Sequence, residues 1–368
     1  MQISVKRTPE RKMQITKATT SSEVLVTGMR GSVWARYPAK KRASIVDQVF
    51  HYWRIRGFPH YEISERQLTQ EFARLAAKDW RAVFDGDDLR ASNVGLRLAN
   101  SFQPTMWEAK VNRYRSPTEI FRDDQLLRSA IERSLTIWPD RFGANASCLR
   151  RMLKSYPGAA SVSNYRPMIA RAVITKYSPP HGRVLDFSAG YGGRLLGALA
   201  AGRSYLGIEP NRAQVSGFHR MLRALASADF SLPQVRILNG RAERELPTIP
   251  GASADLVFSS PPFFNWEHYS HSSTQSFKRY PQYHLWQGRF LWPVVAESFR
   301  VLRCAGYLVL NVSNGNRLPS SGHVKELAAR AGFRLHSVCQ MLFPKIPYLH
   351  PRTAGPVKSE SLLVFKKV

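Results

Sequence analysis

An apolar segment, a glycine-rich turn and an alanine- and leucine-rich segment follow one another in this chain and restrict its fold more than any other feature. They read Val184-Leu185-Asp186-Phe187-Ser188-Ala189-Gly190-Tyr191-Gly192-Gly193-Arg194 and then Leu195-Leu196-Gly197-Ala198-Leu199-Ala200. A strand, a tight turn and a helix in this order are typical of the cofactor site of doubly wound α/β proteins. Glycines let the backbone approach a ligand closely, and a helix start offers free N–H groups. The pattern therefore predicts a binding turn at the edge of an α/β sheet.

A second apolar segment ends in an acid. Ser204-Tyr205-Leu206-Gly207-Ile208 precedes Glu209, about 20 residues after the turn, where a carboxylate can accept hydrogen bonds from ribose hydroxyls. The dinucleotide fingerprint G-x-G-x-x-G fails because Leu195 occupies its third glycine position, and no G-K-[ST] follows for a P-loop. The turn therefore favours a nucleoside-containing cofactor of another kind.

A third motif, Ser260-Pro261-Pro262-Phe263, lies within the segment Leu256-Val257-Phe258-Ser259-Ser260-Pro261-Pro262-Phe263-Phe264-Asn265. A backbone carbonyl, a hydroxyl and a ring face can converge there on one flat amino-bearing group. The alternative is that the two prolines merely end a strand. Because the motif follows the glycine-rich turn and Glu209 in the order a cofactor site requires, we favour the catalytic interpretation.

Together these motifs resemble the class I S-adenosylmethionine-dependent methyltransferases, specifically the DNA amino-methyltransferases. The resemblance covers about residues 160–368 and extends to Asn164-Tyr165-Arg166-Pro167-Met168-Ile169, which is similar to the family's motif before the first strand. It implies an α/β fold with a Rossmann-like seven-stranded sheet, mostly parallel with an antiparallel last strand. It also implies S-adenosyl-L-methionine as cofactor.

Carried over position by position, the resemblance implies two sets of site residues. The catalytic set is Ser260, Pro261, Pro262 and Phe263. The cofactor-binding set is Tyr165, Pro167, Asp186, Phe187, Ser188, Ala189, Gly190, Gly192, Glu209, Pro210, Asn239 and Arg241. Two positions depart from the family pattern. Ser188 replaces the first glycine of the turn, and Arg241 stands where an adenine-binding Asp is expected, so Asn239 or a backbone carbonyl would have to serve.

The chemistry explains the diproline. An exocyclic base nitrogen is a poor nucleophile because its lone pair is delocalised into the ring. The Ser260 hydroxyl and the Pro261 carbonyl could accept its two hydrogens and turn the lone pair towards a sulfonium methyl, so the site would act by positioning and hydrogen bonding. Phe263 would stack on a base that has been flipped out of its duplex.

The cysteines and histidines argue against carbon-5 cytosine methylation, a disulfide framework and a metal site. Carbon-5 cytosine methylation needs a cysteine nucleophile, which the corresponding family carries after a proline, and Cys148, Cys304 and Cys339 do not follow prolines. The cysteines are odd in number and form no C-x-x-C, so they favour a reducing compartment over a disulfide framework or a cysteine zinc site. His268 and His271 lack an acidic cluster, so no metal is expected.

The charge of the chain favours a nucleic-acid partner. Lys and Arg number 54 against 26 Asp and Glu, a formal charge of +28. Residues 1–150 carry 26 basic and 16 acidic side chains, and residues 151–368 carry 28 and 10. The catalytic part is the more basic, as expected if it contacts phosphates, so double-stranded DNA is the expected partner.

Three regions are predicted: a basic flexible arm (1–40), a mainly helical accessory or target-recognition domain (41–158) and the methyltransferase domain (159–368). Ile45, Val49 and Trp53 recur at helical spacing before Gly57-Phe58-Pro59. A capping box of Ser64 and Gln67 precedes Leu68, Phe72 and Leu75 on one helix face. The two helices could form a helix-turn-helix reader or a plain helical cap on the catalytic domain.

Further strands are predicted at 235–240, 255–258, 306–312, 333–338 and 361–365, with a proline-rich loop over 344–358. The loop from Trp266 to Trp286 interleaves aromatic and cationic side chains, which suits either a base-pocket wall or docking on its own core. Glu267 and Tyr269, just after the motif, favour the functional interpretation.

The sequence therefore predicts a site-specific DNA methyltransferase that modifies a base amino group. Ser260 at the first motif position resembles the cytosine 4-amino type more than the adenine 6-amino type. The alternatives are an RNA base methyltransferase and a catalytically inactive, cofactor-binding nucleic-acid protein. With no apolar leader segment and no apolar run long enough to span a membrane, we expect a cytoplasmic, nucleoid-associated protein.

Overall fold

The computed structural model describes residues 15–17, 24–26, 34–138, 144–313, 319–343 and 359–368. Most of the predicted arm 1–40 lies outside these ranges, and so does the predicted proline-rich loop 344–358. Within the described ranges, no helix is both long enough and apolar enough to span a membrane.

The secondary structure alternates between helices and strands from the middle of the chain onwards. The strands are β1 (Ile15–Lys17), β2 (Val24–Val26), β3 (Phe84–Asp85), β4 (Asp88–Arg90), β5 (Lys110–Val111), β6 (Arg183–Asp186), β7 (Ser204–Ile208), β8 (Val235–Leu238), β9 (Ala254–Ser259), β10 (Glu267–His268), β11 (Leu302–Ser313), β12 (Phe333–Leu342) and β13 (Ser359–Lys367). The α-helices are α1 (Ala39–Arg56), α2 (Glu65–Ala77), α3 (Leu96–Ser101), α4 (Pro117–Arg122), α5 (Asp124–Ile137), α6 (Ala146–Ser155), α7 (Pro167–Tyr177), α8 (Gly193–Ala200), α9 (Arg212–Ser227), α10 (Ala242–Glu245), α11 (Ser276–Arg279), α12 (Tyr283–Trp286), α13 (Trp292–Val301) and α14 (Ser321–Arg330).

The chain divides into two compact units, each discontinuous in sequence. The helical unit combines Met1–Glu62 with Tyr114–Ser161, and the sheet unit combines Ile63–Arg113 with Val162–Val368. This division differs from the predicted boundary between 158 and 159, because residues 63–113 pack and pair with the sheet. A boundary drawn from composition could not reveal that long-range pairing.

The helical unit is built from α1, α4, α5 and α6. Ile45, Val49 and Trp53 lie on the buried face of α1, as their spacing predicts. The indole nitrogen of Trp53 donates to the carbonyl of Ala144 at 3.1 Å, which ties α1 to the turn before α6. The helix ends at Gly57, whose φ of +86° suits glycine.

The capping box predicted at Ser64 and Gln67 is confirmed at the start of α2, and Leu68, Phe72 and Leu75 are buried. However, α1 belongs to the helical unit and α2 to the sheet unit.

The sheet unit contains a nine-stranded sheet in the order β3-β4-β12-β13-β11-β9-β6-β7-β8. The strands β8, β7, β6, β9 and β11 run parallel, and β13 pairs antiparallel with both β11 and β12. The predicted Rossmann-like fold class is confirmed. The predicted number of seven strands is corrected to nine, because the hairpin β3–β4 extends the edge beside β12 through pairing at Met341 and Leu342.

Helices cover both faces of this sheet, as a largely parallel sheet requires. On one face, Ile169 of α7 and Leu196 of α8 belong to the same buried cluster as Phe258 of β9. On the other, Val294 of α13 belongs to a second buried cluster with Val257 of β9.

The register of the central strands brings two of the sequence motifs together. In the parallel pair β6–β9, Val184 lies beside Leu256 and Leu185 beside Val257. Both strands therefore end at the same edge, with the glycine-rich turn following β6 and the diproline motif following β9. Ligands bind at this carboxyl edge in open α/β sheets.

Gly193, the first residue of α8, permits a close backbone approach. A Cβ at this position would lie 1.9 Å from the carbonyl oxygen of Tyr165 and 2.7 Å from the side-chain oxygen of Asn164. Gly193→Ala should therefore lower the free energy of unfolding by about 3 kcal/mol or more, the upper part of the range for overpacking. Urea denaturation of the purified variant measures the change.

Gly288 is the matched control, because a Cβ there would meet nothing within 4 Å. Gly288→Ala should be neutral or stabilising by up to ~1 kcal/mol, since alanine has the higher helix propensity. Equal effects of the two substitutions would contradict the close approach at Gly193.

Candidate active site

The turn after β6 takes its shape from two glycines in the left-handed region. Gly190 has a φ of +61° and Gly192 a φ of +81°. The N–H of Ala189 donates to the carbonyl of Ile208 at 3.0 Å, and the N–H of Gly192 donates to that of Ala189 at 3.2 Å. Residues with a Cβ rarely adopt this conformation, so both glycines are required by backbone geometry.

Glu209, at the end of β7, binds the turn directly. One carboxylate oxygen accepts the N–H of Gly190 at 2.9 Å, and the other accepts the N–H of Asn211 at 2.9 Å. With its amide nitrogen facing the carboxylate, Gln214 donates to both oxygens at 2.8 and 3.1 Å. Glu209 is 6% exposed. Burial raises its pKa to about 8, against the opposing effect of the two backbone donors.

Asp186, the last residue of β6, is fully buried and has each oxygen engaged by the protein. It accepts hydrogen bonds from the hydroxyls of Tyr205 and Ser259, both at 2.7 Å. It also accepts the N–H of Ser188 at 3.2 Å and two guanidinium bonds from Arg194, at 2.7 and 3.3 Å. Asp186 therefore shapes the turn from beneath and has no exposed oxygen for a ligand.

Arg194 connects the glycine-rich turn to the diproline motif. Besides its bonds to Asp186, its guanidinium donates to the carbonyl of Ser188 and, at 2.9 Å, to the hydroxyl of Ser260. Arg194 is 4% exposed. Burial alone would lower its pKa, but the charge and hydrogen bonds of Asp186 outweigh burial and raise the pKa above the ordinary arginine value.

The diproline motif continues into two consecutive tight turns. The N–H of Phe264 donates to the carbonyl of Pro262 at 2.9 Å, and the N–H of Trp266 donates to that of Phe263 at 2.8 Å. Phe264 has a φ of +41°, which is unusual for a bulky residue. Its ring is buried and contacts Trp286 edge-on, with centroids 5.7 Å apart. Phe264 thus anchors the motif in the core, while Phe263 stays half-buried beside Ser260.

The segment before α7 supports the turn chiefly through Asn164. Its side-chain oxygen accepts the N–H of Gly193 at 3.0 Å, and its nitrogen donates to the carbonyl of Tyr191 at 3.0 Å. The ring of Tyr165 lies edge-on to Phe258. Burial of the Tyr165 hydroxyl raises its pKa, and Pro167 is buried as the first residue of α7.

Asn239 and Arg241 differ in how they relate to this site. The Asn239 side chain is exposed and donates to the carbonyl of Glu209 at 2.9 Å, so it lies beside that acid. Arg241 caps the short helix α10 and forms an ion pair with Glu243 at 3.7 Å. Pro210, half-buried, follows Glu209.

The loop after the motif returns to the turn. Glu267 and His268 form β10, which pairs with β5. The Tyr269 hydroxyl donates to the Glu267 carboxylate, and the rings of Tyr269 and Tyr191 lie 6.3 Å apart. Burial, followed by the nearby charge of Glu267, raises the pKa of Tyr269 well above its ordinary value. This part of the loop therefore packs on the glycine-rich turn.

The structure brings most of the predicted site residues to one sheet edge but divides them by role. Ser188, Ala189, Gly190, Gly192, Glu209, Asn239 and Ser260 to Phe263 form the turn, its acid and the motif. Asp186 and the Phe187 side chain lie beneath them, with Phe187 in the core at 1% exposure, while the partly buried Tyr165 packs against the cluster that contains Phe258. Three residues that were not predicted hold the parts together: Arg194, Asn164 and Gln214. Arg194 carried a signal as the charged residue in the first turn of an otherwise apolar helix, and Asn164 as the first residue of the segment that resembles a family motif.

No family model matches the chain, and no curated protein matches it. Among solved structures, it is similar to a SAM-dependent methyltransferase of Methanosarcina mazei, with 14% identity over 53% of this chain and 97% of the other at a TM-score of 0.39. A TehB-like SAM-dependent methyltransferase of Corynebacterium glutamicum gives 17% identity over 60% and 96%, at a TM-score of 0.36. A candidate DNA modification methylase of Thermus thermophilus gives 25% identity over 35% and 50%, at 0.26.

The sheet order and the strand directions define the class of the fold: a Rossmann-like α/β fold with two added edge strands.

The raised pKa of Glu209 predicts a pH-dependent stability. The carboxyl has a pKa of about 8 in the folded protein against an ordinary value of 4.5, so folding favours its protonated form. Its stabilising contribution is therefore complete below about pH 4.5 and is lost as the pH rises through about 8. The free energy of unfolding should fall over this window by an amount on the order of 5 kcal/mol from this group, since each pKa unit corresponds to about 1.4 kcal/mol. Urea denaturation at a series of pH values measures it.

Glu209→Gln supplies the comparison, because its amide does not titrate. As the pH rises, the wild type should lose unfolding free energy relative to Glu209→Gln. Parallel pH profiles for the two proteins would contradict the burial argument.

Proposed function

We propose that this protein is an S-adenosylmethionine-dependent methyltransferase that modifies an exocyclic amino group of a base in double-stranded DNA. One observation carries the proposal. The Ser260 hydroxyl is bonded at 2.9 Å to Arg194, whose guanidinium also bonds the carbonyl of Ser188, so the glycine-rich turn and the diproline motif share one site.

The residues present fit the cofactor. Glu209 would accept ribose hydroxyls in place of the Gln214 amide, which donates to both of its oxygens beside the two backbone N–H groups. At Gly190 the nearest heavy atom to an added Cβ would be 3.7 Å away, so the turn has room beside its backbone. Asn239 is exposed beside Glu209, and its side-chain oxygen would be the acceptor for an adenine amino group that Arg241 cannot supply.

When bound, S-adenosylmethionine would supply a methyl group activated by its sulfonium. The protein's own contribution is to orient the amino group. The Ser260 hydroxyl, with its remaining lone pair, and the Pro261 carbonyl would accept the two amino hydrogens. Phe263 would stack on the base, a contact worth about 1–3 kcal/mol. The pairing of Arg194 with Asp186 limits its repulsion of the positive charge that develops on the amino nitrogen.

The formal charge of +28 supports a polyanionic substrate, since cationic side chains neutralise phosphates and release counterions. Within that substrate we favour cytosine 4-amino over adenine 6-amino, because of the serine at the first motif position. Both bases present an amino group beside an unprotonated ring nitrogen, so the same pocket geometry serves either.

Methyl transfer from labelled cofactor to duplex DNA or to bulk RNA tests the proposal, with the product nucleoside identified after digestion. We expect label in DNA, as 4-methylcytosine. Label in 6-methyladenine would correct the base, and label in RNA alone would overturn DNA as substrate. Measurable cofactor binding without transfer to either polymer would support the inactive binding protein instead.

Ser260→Ala should lower the turnover number by about 10²-fold, by analogy with the loss of one transition-state hydrogen bond. The cofactor dissociation constant should change by less than about twofold, because the hydrogen bond of the Ser260 hydroxyl towards the turn is the one to Arg194. Single-turnover kinetics and calorimetric titration of the cofactor measure the two quantities.

Ser259→Ala is the matched comparison, since Ser259 is fully buried and bonds Asp186 instead of facing the base pocket. It should cost about 1–3 kcal/mol of unfolding free energy and affect turnover less than Ser260→Ala does. Equal loss of cofactor affinity and turnover in Ser260→Ala would show that the motif is structural.

A further inference from the structure

The guanidinium of Arg194 forms hydrogen bonds with three residues at once. Its Nε and Nη2 bond the Asp186 carboxylate, Nη2 also bonds the Ser188 carbonyl, and Nη1 bonds the Ser260 hydroxyl. The side chain is 4% exposed, so water does not compete for these bonds. A planar fork held in this way leaves Nη1 little freedom of direction.

The bond from Nη1 limits what Ser260 can do. A serine hydroxyl rotates among three staggered wells and has two lone pairs and one proton. Once Nη1 occupies one lone pair at 2.9 Å, one lone pair and the proton remain for other partners. The bond therefore fixes the direction in which Ser260 presents its remaining acceptor.

The charge of Arg194 does not explain its place beside Ser260. An unpaired cation next to the reacting nitrogen would oppose the positive charge that nitrogen gains on methylation. Asp186 lies 2.7 Å from the guanidinium and balances that charge within a fully buried pair. The remaining contribution of Arg194 is to fix the direction of the Ser260 hydroxyl.

We propose that Arg194 is a positioning residue for methyl transfer: it orients the Ser260 hydroxyl towards the target amino group and fixes it to the turn that holds the cofactor. This inference rests on the proposed function. A purely structural Arg194 would stabilise the fold through Asp186 and would show no energetic coupling to Ser260 during turnover.

Four proteins test the inference: wild type, Arg194→Lys, Ser260→Ala and the double variant. Lysine keeps the charge beside Asp186 but lacks the planar fork that also reaches Ser260. We expect Arg194→Lys to lower the turnover number about tenfold in the wild-type background, equivalent to about 1.4 kcal/mol. In the Ser260→Ala background the same substitution should change turnover by less than about twofold. An equal factor in both backgrounds would overturn the inference.

Tyr205→Phe serves as the control, because Tyr205 bonds Asp186 and does not touch Ser260. Arg194→Lys should cost the same factor in turnover with or without this substitution. If the cost vanished in the Tyr205→Phe background as well, the effect would belong to the Asp186 network as a whole, and the inference would fail.

Urea denaturation of the same four proteins separates this inference from the proposed function. A coupling between Arg194→Lys and Ser260→Ala in the unfolding constant reports their bond without any need for activity. If wild type transfers no methyl group to DNA or RNA, the proposed function fails, while a several-fold coupling still supports the orientation of Ser260 by Arg194. Absence of coupling in unfolding would overturn that orientation even in an active enzyme.

Discussion

The buried ion pair between Asp186 and Arg194 is the constraint on which the site depends. A charge removed from water is costly unless it is paired and hydrogen-bonded, and losing one partner of such a pair typically costs about 3–5 kcal/mol. Here Asp186 is fully buried and receives two hydroxyls, a backbone N–H and the guanidinium. Each of these donors comes from a different element or turn at the carboxyl edge of the sheet. The positions of the turn, β7 and the end of β9 are therefore set together.

The sequence predicted the parts of the site whose conformation is determined locally. Gly190 and Gly192 are needed for a left-handed backbone, Glu209 follows an apolar strand at the expected spacing, and the diproline must end a strand. The strand Ser204–Ile208 was located correctly because alternating and continuous apolar patterns reflect burial directly. The residues that join these parts were missed. Asn164 bonds Gly193, 29 positions later, and Gln214 bonds the Gly190 carbonyl of the preceding turn as well as Glu209. A polar side chain's partner cannot be read from its own neighbours in sequence.

A family motif also does not distinguish residues that line a pocket from residues that support it. Asp186 and Phe187 stand in the motif next to Ser188 and Gly190, yet their side chains are buried beneath the turn. The hairpin β3–β4 was missed for a related reason. Its strands are too short to give a pattern, and their place in the sheet depends on β12, far along the chain.

The discontinuity of the two units has a consequence for the order in which the chain can fold during synthesis. All of the helical unit precedes residue 162, so its core can close before β6 has been made. Residues 63–113 must instead wait for the sheet: Asp88 bonds the N–H of Gln340, which lies 252 positions later. Contacts of such long separation form slowly, because the intervening loop must close first. The strand β4, although synthesised early, therefore pairs with β12 only near the end of folding. Until then, residues 63–113 remain available for incorrect pairing.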